Sequence, residues 1–316
     1  MESPGFAPAR VLFCAHPLQR GAPDPVYADE AAAATSAGLP HALLRIEPLV
    51  GRADATLATR GVPARAPGPA LYRGWALAPD RYAALHAALA TKGDLLLSSP
   101  DAYRHVHWLP ECYDAIAQWT ARSAWLPERE LSVDRAVALA RDFGQRPLLV
   151  KDYVKSRKHE WAEACFIPDA TDAAAVKRVV SRFLDLTGGE LQGGLVLREF
   201  LDLEQVGKHA RSGMPLARAW RVFWLDGDPI LVAPYWPEVE GDPPPVATFA
   251  PAAARVRSRF FTMDLARRSD GGWIIVELGD GQVAGLPEAA DPVVFFRAVA
   301  ARLARASERA AIPAHG

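Results

Sequence analysis

The stretch FFTMDLARRSDGGWIIVELGDGQ, residues 260–282, decides the fold, because two apolar runs flank a short polar segment within it. Asp270-Gly271 between such runs is a strong signal for a two-residue β-hairpin turn. Counting outward from that turn along both strands sets Asp264 directly opposite Glu277. The sequence therefore predicts an antiparallel hairpin with two carboxylates facing each other across it.

Those two carboxylates indicate a metal site. Like charges placed opposite each other destabilise a sheet, and the apolar neighbours of Asp264 and Glu277 indicate a covered cleft, where an unpaired charge costs more. A bound cation removes the conflict, and Mg²⁺ favours one or two carboxylates together with substrate phosphates. Asp280, two residues beyond the predicted strand, is a third candidate ligand. The alternative is a register slip by one residue, after which either acid faces water, or a pairing with an arginine.

The composition of the 316-residue chain is that of a soluble globular protein with two or three lobes, since half of its residues are hydrophobic and its net charge is −1. This balance argues against binding to nucleic acid or to a membrane surface through charge. No apolar run approaches the ~20 residues of a membrane span, and the N-terminus lacks the features of a signal peptide. Three scattered cysteines without CxxC spacing indicate reduced thiols, so we expect a cytoplasmic protein.

The secondary-structure pattern changes character near residue 125. Before it, strand-like and helix-like segments alternate, as in an open α/β layer, with strands predicted at 11–15, 41–46, 69–72 and 94–97 and helices at 26–37, 81–90, 101–107 and 110–120. The Ala-rich segment 51–68 is predicted as a loop. After it, an α+β pattern becomes mostly antiparallel, with strands at 146–154, 161–167, 195–201, 219–225, 229–233, 260–266 and 273–278 and helices at 132–143, 173–186 and 292–304.

Two lysines near residue 150 indicate a bound anion. Lys151 is flanked by apolar residues on one face of a strand, so its charge must reach water or meet an anion such as a phosphate. The alternative is a solvated lysine at a strand end. Lys155 opens a basic turn, 155–159, that is suited to fold over a triphosphate as a lid or else is an ordinary solvated loop.

Two arginines in apolar strands, Arg198 and Arg221, are further candidates, because a guanidinium in such a setting is rarely unpaired. They either pair with structural acids such as Glu199 or Glu238, or bind phosphate and steady a phosphoryl group in transfer. Arg73 follows a predicted strand, where ligand sites form in open sheets. His105 and His107, two apart on a predicted helix, lie on different faces and are interpreted as surface or capping residues.

The order of these features resembles the ATP-grasp superfamily, in which two α+β lobes clamp ATP. The finer resemblance is to the clade named for two arginines and one lysine, through the segments LYRGW (71–75), LREFLDLE (197–204), WRVFWLDG (220–227) and VELGDGQVAGLP (276–287). It implies an N-terminal pre-ATP-grasp domain at 1–125, a first lobe at 126–200 and a second lobe at 201–316. The Asn of the superfamily's usual ExN metal motif is absent, and Asp280 or Gln282 stands in for it; the basic turn lacks the glycines common in phosphate-covering loops.

The resemblance also implies roles for individual residues. Lys151 and Lys155 would contact phosphate, Glu199, Phe200 and Leu201 would form the adenine hinge, and Asp202 or Glu204 would face the ribose. Asp264, Glu277 and Asp280 would hold Mg²⁺. Arg221 would stabilise the phosphoryl group, Arg198 would aid orientation or acyl-phosphate binding, and the acceptor would lie near Arg73 and Trp75.

The activity implied is that of a Mg²⁺-ATP-dependent ligase that activates a carboxylate as an acyl phosphate for attack by an amine. Its substrates would be small molecules or peptides, with neither nucleic acid nor membrane as a partner. Two alternatives stay open: a phosphotransferase that acts on a small hydroxyl compound, and a nucleotide-binding module without catalysis.

Overall fold

Four parallel strands form the N-terminal sheet, in the order β2-β1-β3-β4. The computed structural model describes residues 7–19, 21–208 and 215–311. The strands of this sheet are β1 (Arg10–Cys14), β2 (His41–Leu44), β3 (Gly68–Arg73) and β4 (Asp94–Leu96). The helices around it are α1 (Ala28–Ser36), α2 (Glu47–Arg52), α3 (Ala55–Thr59), α4 (Pro79–Ala90), α5 (Pro100–His107) and α6 (Leu109–Ile116).

The direction of winding reverses at β1, because the chain crosses to β2 on one side and later to β3 on the other. Such a switch point opens a crevice at the carboxyl ends of the strands. Here the crevice lies where the loops after Cys14 and Arg73 meet.

The first lobe is an antiparallel sheet in the order β5-β8-β6-β7. Its elements are β5 (Ser123–Pro127), α7 (Val133–Arg141), β6 (Leu148–Asp152), β7 (Phe166–Ile167), α8 (Ala173–Thr187) and β8 (Gly194–Glu199). Its two helices pack on each other and on the sheet around a core of their own. The predicted boundary between residues 125 and 126 falls within β5.

The second lobe is an antiparallel sheet in the order β12-β11-β13-β14, with a separate hairpin of β9 and β10. Its elements are β9 (Gln205–Lys208), β10 (Pro215–Ala217), β11 (Ala219–Leu225), β12 (Asp228–Pro234), α9 (Ala250–Ala253), β13 (Phe260–Arg267), β14 (Trp273–Asp280) and α10 (Pro292–Ala311). Helix α10 packs against α1, and its Phe295 and Phe296 share one buried cluster with Phe13 of β1. The last helix therefore joins the second lobe to the N-terminal domain.

The predicted fold class is confirmed, with two local corrections. The predicted strand at 161–167 is wrong: Trp161–Cys165 form a π-helix, and only Phe166–Ile167 pair as a strand. Trp161 stacks on Phe166 with ring centroids 5.2 Å apart, which a strand would prevent because residues five apart face opposite sides. The predicted loop at 51–68 contains α3, whose first turn is capped by the Asp54 carboxylate.

The hairpin at 260–282 has the predicted pairing of Asp264 with Glu277, but its turn and its register near the turn differ from the prediction. Its turn has three residues, 269–271, closed by a hydrogen bond from Gly271 N to the carbonyl oxygen of Arg268, and Gly271 has a φ of 88°. This longer turn shifts the pairing by one residue, so Leu265 lies opposite Ile275. A bulge at Val276 then shifts it back, and Asp264 lies opposite Glu277. The predicted two-residue turn is wrong, and the predicted carboxylate pair is confirmed.

Among the described residues, no helix combines the length and the apolar character needed to cross a membrane. The three cysteines are buried and none forms a disulfide.

A buried arginine fastens the N-terminal domain to the loop after β14. The Arg73 guanidinium is held by both carboxylate oxygens of Glu30, at 2.7 and 2.8 Å. Its Nη1 donates to the carbonyl oxygens of Gly281, Gln282 and Ala284, at 3.0, 3.1 and 2.7 Å. Only 1% of the Arg73 side chain is exposed, so this clamp fixes the loop after β14 against β3.

We predict that Glu30→Ala lowers the free energy of unfolding by about 3–5 kcal/mol, because it leaves a buried guanidinium without its counter-ion. Urea denaturation followed by circular dichroism measures the change. The control is Glu130→Ala, which breaks a solvent-exposed pair with Arg135 and should cost about 1 kcal/mol at most. Equal losses in the two variants would contradict a stabilising role for the clamp.

Candidate active site

The candidate site lies in the cleft between the two lobes, where cations of the first lobe face the second. Lys151 on β6 and Arg198 on β8 lie on one face of their sheet, because Leu149 pairs with Arg198 and Lys151 with Val196. The Lys151 Nζ lies 3.5 Å from Glu277 Oε1 on β14 of the other lobe. A basic strand face of the first lobe thus meets the carboxylate hairpin of the second.

Three charged residues form one row across the second lobe. Arg221 on β11 lies opposite Asp264 on β13, which in turn lies opposite Glu277 on β14. Directly opposed residues share a face of the sheet, so all three side chains leave the same face. The row carries one positive and two negative charges, and Lys151 of the first lobe contributes a second positive charge beside it.

Asp264 is held by Arg221. Arg221 Nε and Nη2 donate to the two carboxylate oxygens, each at 2.8 Å, and Nη1 donates to the Gly285 carbonyl oxygen at 2.9 Å. The guanidinium also lies over the Tyr235 ring, 4.7 Å from its centroid. Burial opposes the charge of Arg221, but the paired carboxylate of Asp264 raises the pKa of the guanidinium, which stays charged. Pairing with an arginine, the alternative open from the sequence, is what the structure shows for Asp264.

Glu277 is the more accessible carboxylate, with 47% of its side chain exposed to the cleft. Burial opposes its ionisation, but the charges of Lys151, Lys158, Arg221 and Arg198 together hold the pKa of Glu277 below its ordinary value. Glu277 is therefore a carboxylate at neutral pH, available for exchange between Lys151 and another cation.

Arg198 reaches across the lobes without a carboxylate partner among the described residues. Its Nη2 donates to the Thr120 hydroxyl at 2.8 Å and lies 3.4 Å from the Ile275 carbonyl oxygen. Glu199, one structural acid considered for it, pairs with Arg146 instead. The buried charge of Arg198 is satisfied by neutral oxygens alone, which leaves it able to hold an anion.

The basic turn lies close enough for its charges to act on this cleft. Asp152 fixes the start of the turn by accepting from the backbone N–H of Val154 at 2.6 Å and of Lys155. Burial has the largest effect on both pKa values, lowering that of His107 and acting to raise that of Glu277. The charge of Lys155 further lowers the pKa of His107, and the charge of Lys158 lowers that of Glu277. The charges of the basic turn therefore influence two residues of the cleft.

His107 belongs to the cleft, contrary to the interpretation as a surface or capping residue. It lines a small cavity together with Lys151, Arg198 and Glu277. Burial lowers the pKa of His107 to about 4, so the imidazole is neutral at pH 7. His105 is also buried, with its Nδ1 3.1 Å from Arg257 Nη2. The two histidines do lie on different faces, and both faces are covered.

Asp280 lies apart from the other two predicted metal ligands. It is fully buried, accepts from Ser98 Oγ at 2.5 Å and from Gln282 N at 3.0 Å, and stands beside the N-terminal domain. Asp280 is three residues beyond Glu277 on β14, so it leaves the opposite face of the strand. Its assignment as a metal ligand is therefore corrected to a structural role, and Gln282, engaged with Tyr82 at 2.6 Å, belongs to the same buried network.

Arg73 and Trp75 differ in their availability to a substrate. The clamp around Glu30 engages Arg73 within the protein, so the predicted substrate contact of Arg73 is corrected to an anchoring role. Trp75 is 44% exposed at the crevice after β3, where its Nε1 donates to Asp24 Oδ2 at 3.2 Å. Of the two, Trp75 alone stays open to a ligand.

The predicted hinge begins at Glu199, the last residue of β8, and several polar groups in and after it are already engaged. The Phe200 N–H donates to the Pro147 carbonyl oxygen at 2.9 Å, so that group is taken. Glu204 pairs with Arg218 at 2.7 Å and with Arg267 at 3.2 Å, which argues against a ribose contact. Asp202 is exposed, so it is the better candidate of the two. Beside the hinge, the Phe200 ring packs edge-on against Trp161 and Phe166.

The residues of the row fit a magnesium ion bound together with phosphates. Asp264 and Glu277 supply the two carboxylates that such a site uses. Arg221 and Lys151, the cations paired with them, are the residues best placed to bind phosphate. The described residues contain no group of three or more His, Cys, Asp or Glu side chains suited to hold a metal alone. Oxygen atoms of a nucleotide would have to complete the coordination shell.

The fold and the charged interlobe cleft define a two-lobed ATP-grasp protein with an N-terminal α/β domain. The model of an ATP-grasp domain, family 3 of the clade named for two arginines and one lysine, matches residues 142–299. The chain belongs to this family of the ATP-grasp superfamily, and the predicted resemblance is confirmed. A sequence comparison with curated proteins finds no match.

Solved structures of ATP-grasp proteins share the fold over nearly the whole chain. D-cycloserine synthetase DcsG has a TM-score of 0.56 at 16% identity, covering 94% of this chain and 100% of its own. The RimK domain ATP-grasp protein of Sphaerobacter thermophilus DSM 20745 has a TM-score of 0.56 at 14% identity, covering 92% and 98%. The ATP-grasp ligase PsnB, complexed with minimal precursor, Mg and ADP, has a TM-score of 0.53 at 13% identity, covering 95% and 98%. At these identities the likeness is one of fold.

We predict that Asp280 makes the protein less stable as pH rises from about 4 to 6. Burial raises the pKa of Asp280 to about 6 from an ordinary value of 3.8, so the folded protein holds a proton that the unfolded chain releases in this range. Stability from this group is complete below pH 4 and is lost as pH rises through 6, by up to about 3 kcal/mol.

The measurement is the free energy of unfolding of the wild type and of Asp280→Asn at several pH values. Asparagine keeps an acceptor for Ser98 and cannot ionise, so the stability of the variant relative to the wild type should rise across this range. A difference that stays constant with pH would contradict the raised pKa.

Proposed function

We propose that the protein is a Mg²⁺-ATP-dependent ligase that activates a carboxylate as an acyl phosphate and joins it to an amine. The observation that carries this proposal is the row of Arg221, Asp264 and Glu277, which faces Lys151 and Arg198 across the interlobe cleft. That arrangement offers carboxylates for a metal and cations for phosphates within one site. The buried, unpaired cysteines fit a reducing compartment such as the cytoplasm.

The proposed roles follow from the position of each charge. Lys151 and the basic turn led by Lys155 bind the phosphates of ATP, and the segment after Glu199 receives the adenine and, through Asp202, the ribose. Asp264 and Glu277 hold Mg²⁺, which neutralises charge on the phosphates. Arg221 and Arg198 hold the phosphoryl group between donor and acceptor.

The chemistry needs no covalent nucleophile from the protein. A carboxylate oxygen of the substrate attacks the γ-phosphorus, the bond to ADP breaks, and an acyl phosphate forms. The amine then attacks the acyl carbon, inorganic phosphate leaves, and the amine loses a proton. Arg198 and Arg221 lower the barrier by positioning the groups and compensating the charge that moves.

The acceptor is proposed to enter at the crevice after β1 and β3, beside Trp75. An exposed indole there suits an apolar or peptide-like substrate. The PsnB structures contain a precursor peptide, which supports a peptide as one class to test, alongside small carboxylates and amines.

We predict that ADP release over many turnovers requires Mg²⁺, ATP, a carboxylate and an amine together, because without the amine the reaction stops at the acyl phosphate. A coupled ADP-release assay over peptide and small-molecule pairs measures this. Glu277→Gln should reduce turnover about 100-fold or more, because one missing charge-stabilising group costs that much in related chemistry. Phosphate transfer to a hydroxyl compound without any amine would favour a phosphotransferase instead.

We predict that Asp264→Asn and Glu277→Gln lose the stabilisation that Mg²⁺ adds to bound ADP. Thermal unfolding with ADP plus Mg²⁺, compared with ADP plus a chelator, isolates the metal contribution. The matched control is Asp280→Asn, which should retain the full difference because Asp280 faces the N-terminal domain. A wild-type shift that does not depend on Mg²⁺ would remove the metal assignment.

A further inference from the structure

His107 ends a stack of aromatic rings that runs from the N-terminal domain into the cleft. The Tyr82 and Tyr103 rings lie 3.9 Å apart at 7°, and the Tyr103 and His107 rings lie 5.0 Å apart at 25°. Both tyrosine hydroxyls are fixed, since Tyr82 donates to the Ser98 carbonyl oxygen at 2.7 Å and Tyr103 to that of Leu77 at 2.8 Å. The imidazole is therefore held in place from behind.

The same stack is tied to the carboxylate hairpin. Gln282 Nε2 donates to the Tyr82 hydroxyl at 2.6 Å, and Ser98 donates to Asp280 at the end of β14. The position of His107 is thereby fixed relative to Glu277, three residues before Asp280 on the same strand.

The cavity in front of His107 favours an anion. Its charged lining consists of Lys151, Arg198 and Glu277, and Lys155 of the basic turn acts on the ring as well. Two cations thus line the cavity beside a single carboxylate, and the charge of a third acts on the ring. A cationic amine would be repelled here, whereas a phosphate oxygen would find compensation from several sides.

The neutral imidazole of His107 can add a directed hydrogen bond to an anion in this cavity. The side-chain amide of Gln192 lies beside the imidazole, and an amide can donate or accept according to its rotation. An anion in the cavity would favour the tautomer whose N–H points towards it, with the Gln192 NH₂ group donating to the other ring nitrogen and Gln192 Oε1 left buried without a partner, as it is in this structure.

We propose that His107 is a further nucleotide-binding residue, which donates a hydrogen bond to a phosphate oxygen of the bound triphosphate beside Lys151. The inference rests on the proposed function, because it requires the triphosphate to lie in this cleft. In this proposal the rings of Tyr82 and Tyr103 position the His107 donor.

The test compares two substitutions by isothermal titration calorimetry with Mg²⁺-AMP-PNP as the probe. His107→Phe keeps a flat ring against Tyr103 but has no donor, so its affinity should fall about tenfold, the typical effect of losing one hydrogen bond to a charged group. His107→Gln restores a side-chain N–H donor and should bind within about threefold of the wild type. Adenosine, which lacks phosphates, should bind both variants as it binds the wild type.

The matched control is His86→Phe. His86 contacts Tyr82 at the other end of the same stack, with ring centroids 6.4 Å apart, and it does not line the cavity. Its substitution should leave the affinity for Mg²⁺-AMP-PNP unchanged.

Wild-type affinity in His107→Phe would overturn the inference while leaving the proposed function intact. Equal losses in His107→Phe and His107→Gln, or a loss for adenosine as well, would also overturn it, since packing rather than a phosphate contact would then be responsible. No binding of Mg²⁺-AMP-PNP by the wild type would overturn the proposed function and the inference together.

Discussion

Two carboxylates on neighbouring strands, Asp264 and Glu277, impose the constraint on which the rest of the site depends. Opposed like charges in a sheltered sheet are costly, so each needs a cation. Arg221 on the adjacent strand supplies one, and Lys151 from the other lobe supplies the second. The two carboxylates are therefore compensated by one cation from the neighbouring strand and one from the other lobe.

The same pairing allows a site for a highly charged ligand to exist without that ligand. Removing one partner from a buried ion pair costs far more than breaking an exposed pair. Under the proposed function, Arg221 and Lys151 would turn to phosphate oxygens while Asp264 and Glu277 turned to a metal ion, so no buried charge would be left alone. Such an exchange would favour joint entry of metal and nucleotide, since either one arriving alone would satisfy only half of the separated charges.

The sequence predicts those parts of the site whose partners are close along the chain. The Asp264–Glu277 pairing followed from spacing within one hairpin, although a longer turn and a bulge at Val276 had to cancel for it to hold. Arg73 was recognisable as a special residue at a strand end, but its partners, Glu30 and the loop after β14, are distant in sequence. The prediction for His107 is wrong for the same reason, because helical spacing cannot show that later elements cover both faces of α5.

The contacts between the parts of the molecule are of two kinds, apolar and polar. Phe223 and Phe260 of the second lobe share one buried cluster with the N-terminal sheet, and the Arg73 clamp adds a buried charge to that joint. The first lobe has its own core, and it meets the second lobe both through the polar pair of Lys151 with Glu277 and through a second buried cluster that joins Val196 to Ile275. Polar pairs in a cleft can exchange partners at little cost, whereas an apolar joint loses buried area when it opens. The second lobe is therefore held by buried apolar area to both of its neighbours, and the pair of Lys151 with Glu277 is a contact in the cleft that a charged ligand could replace without loss of that area.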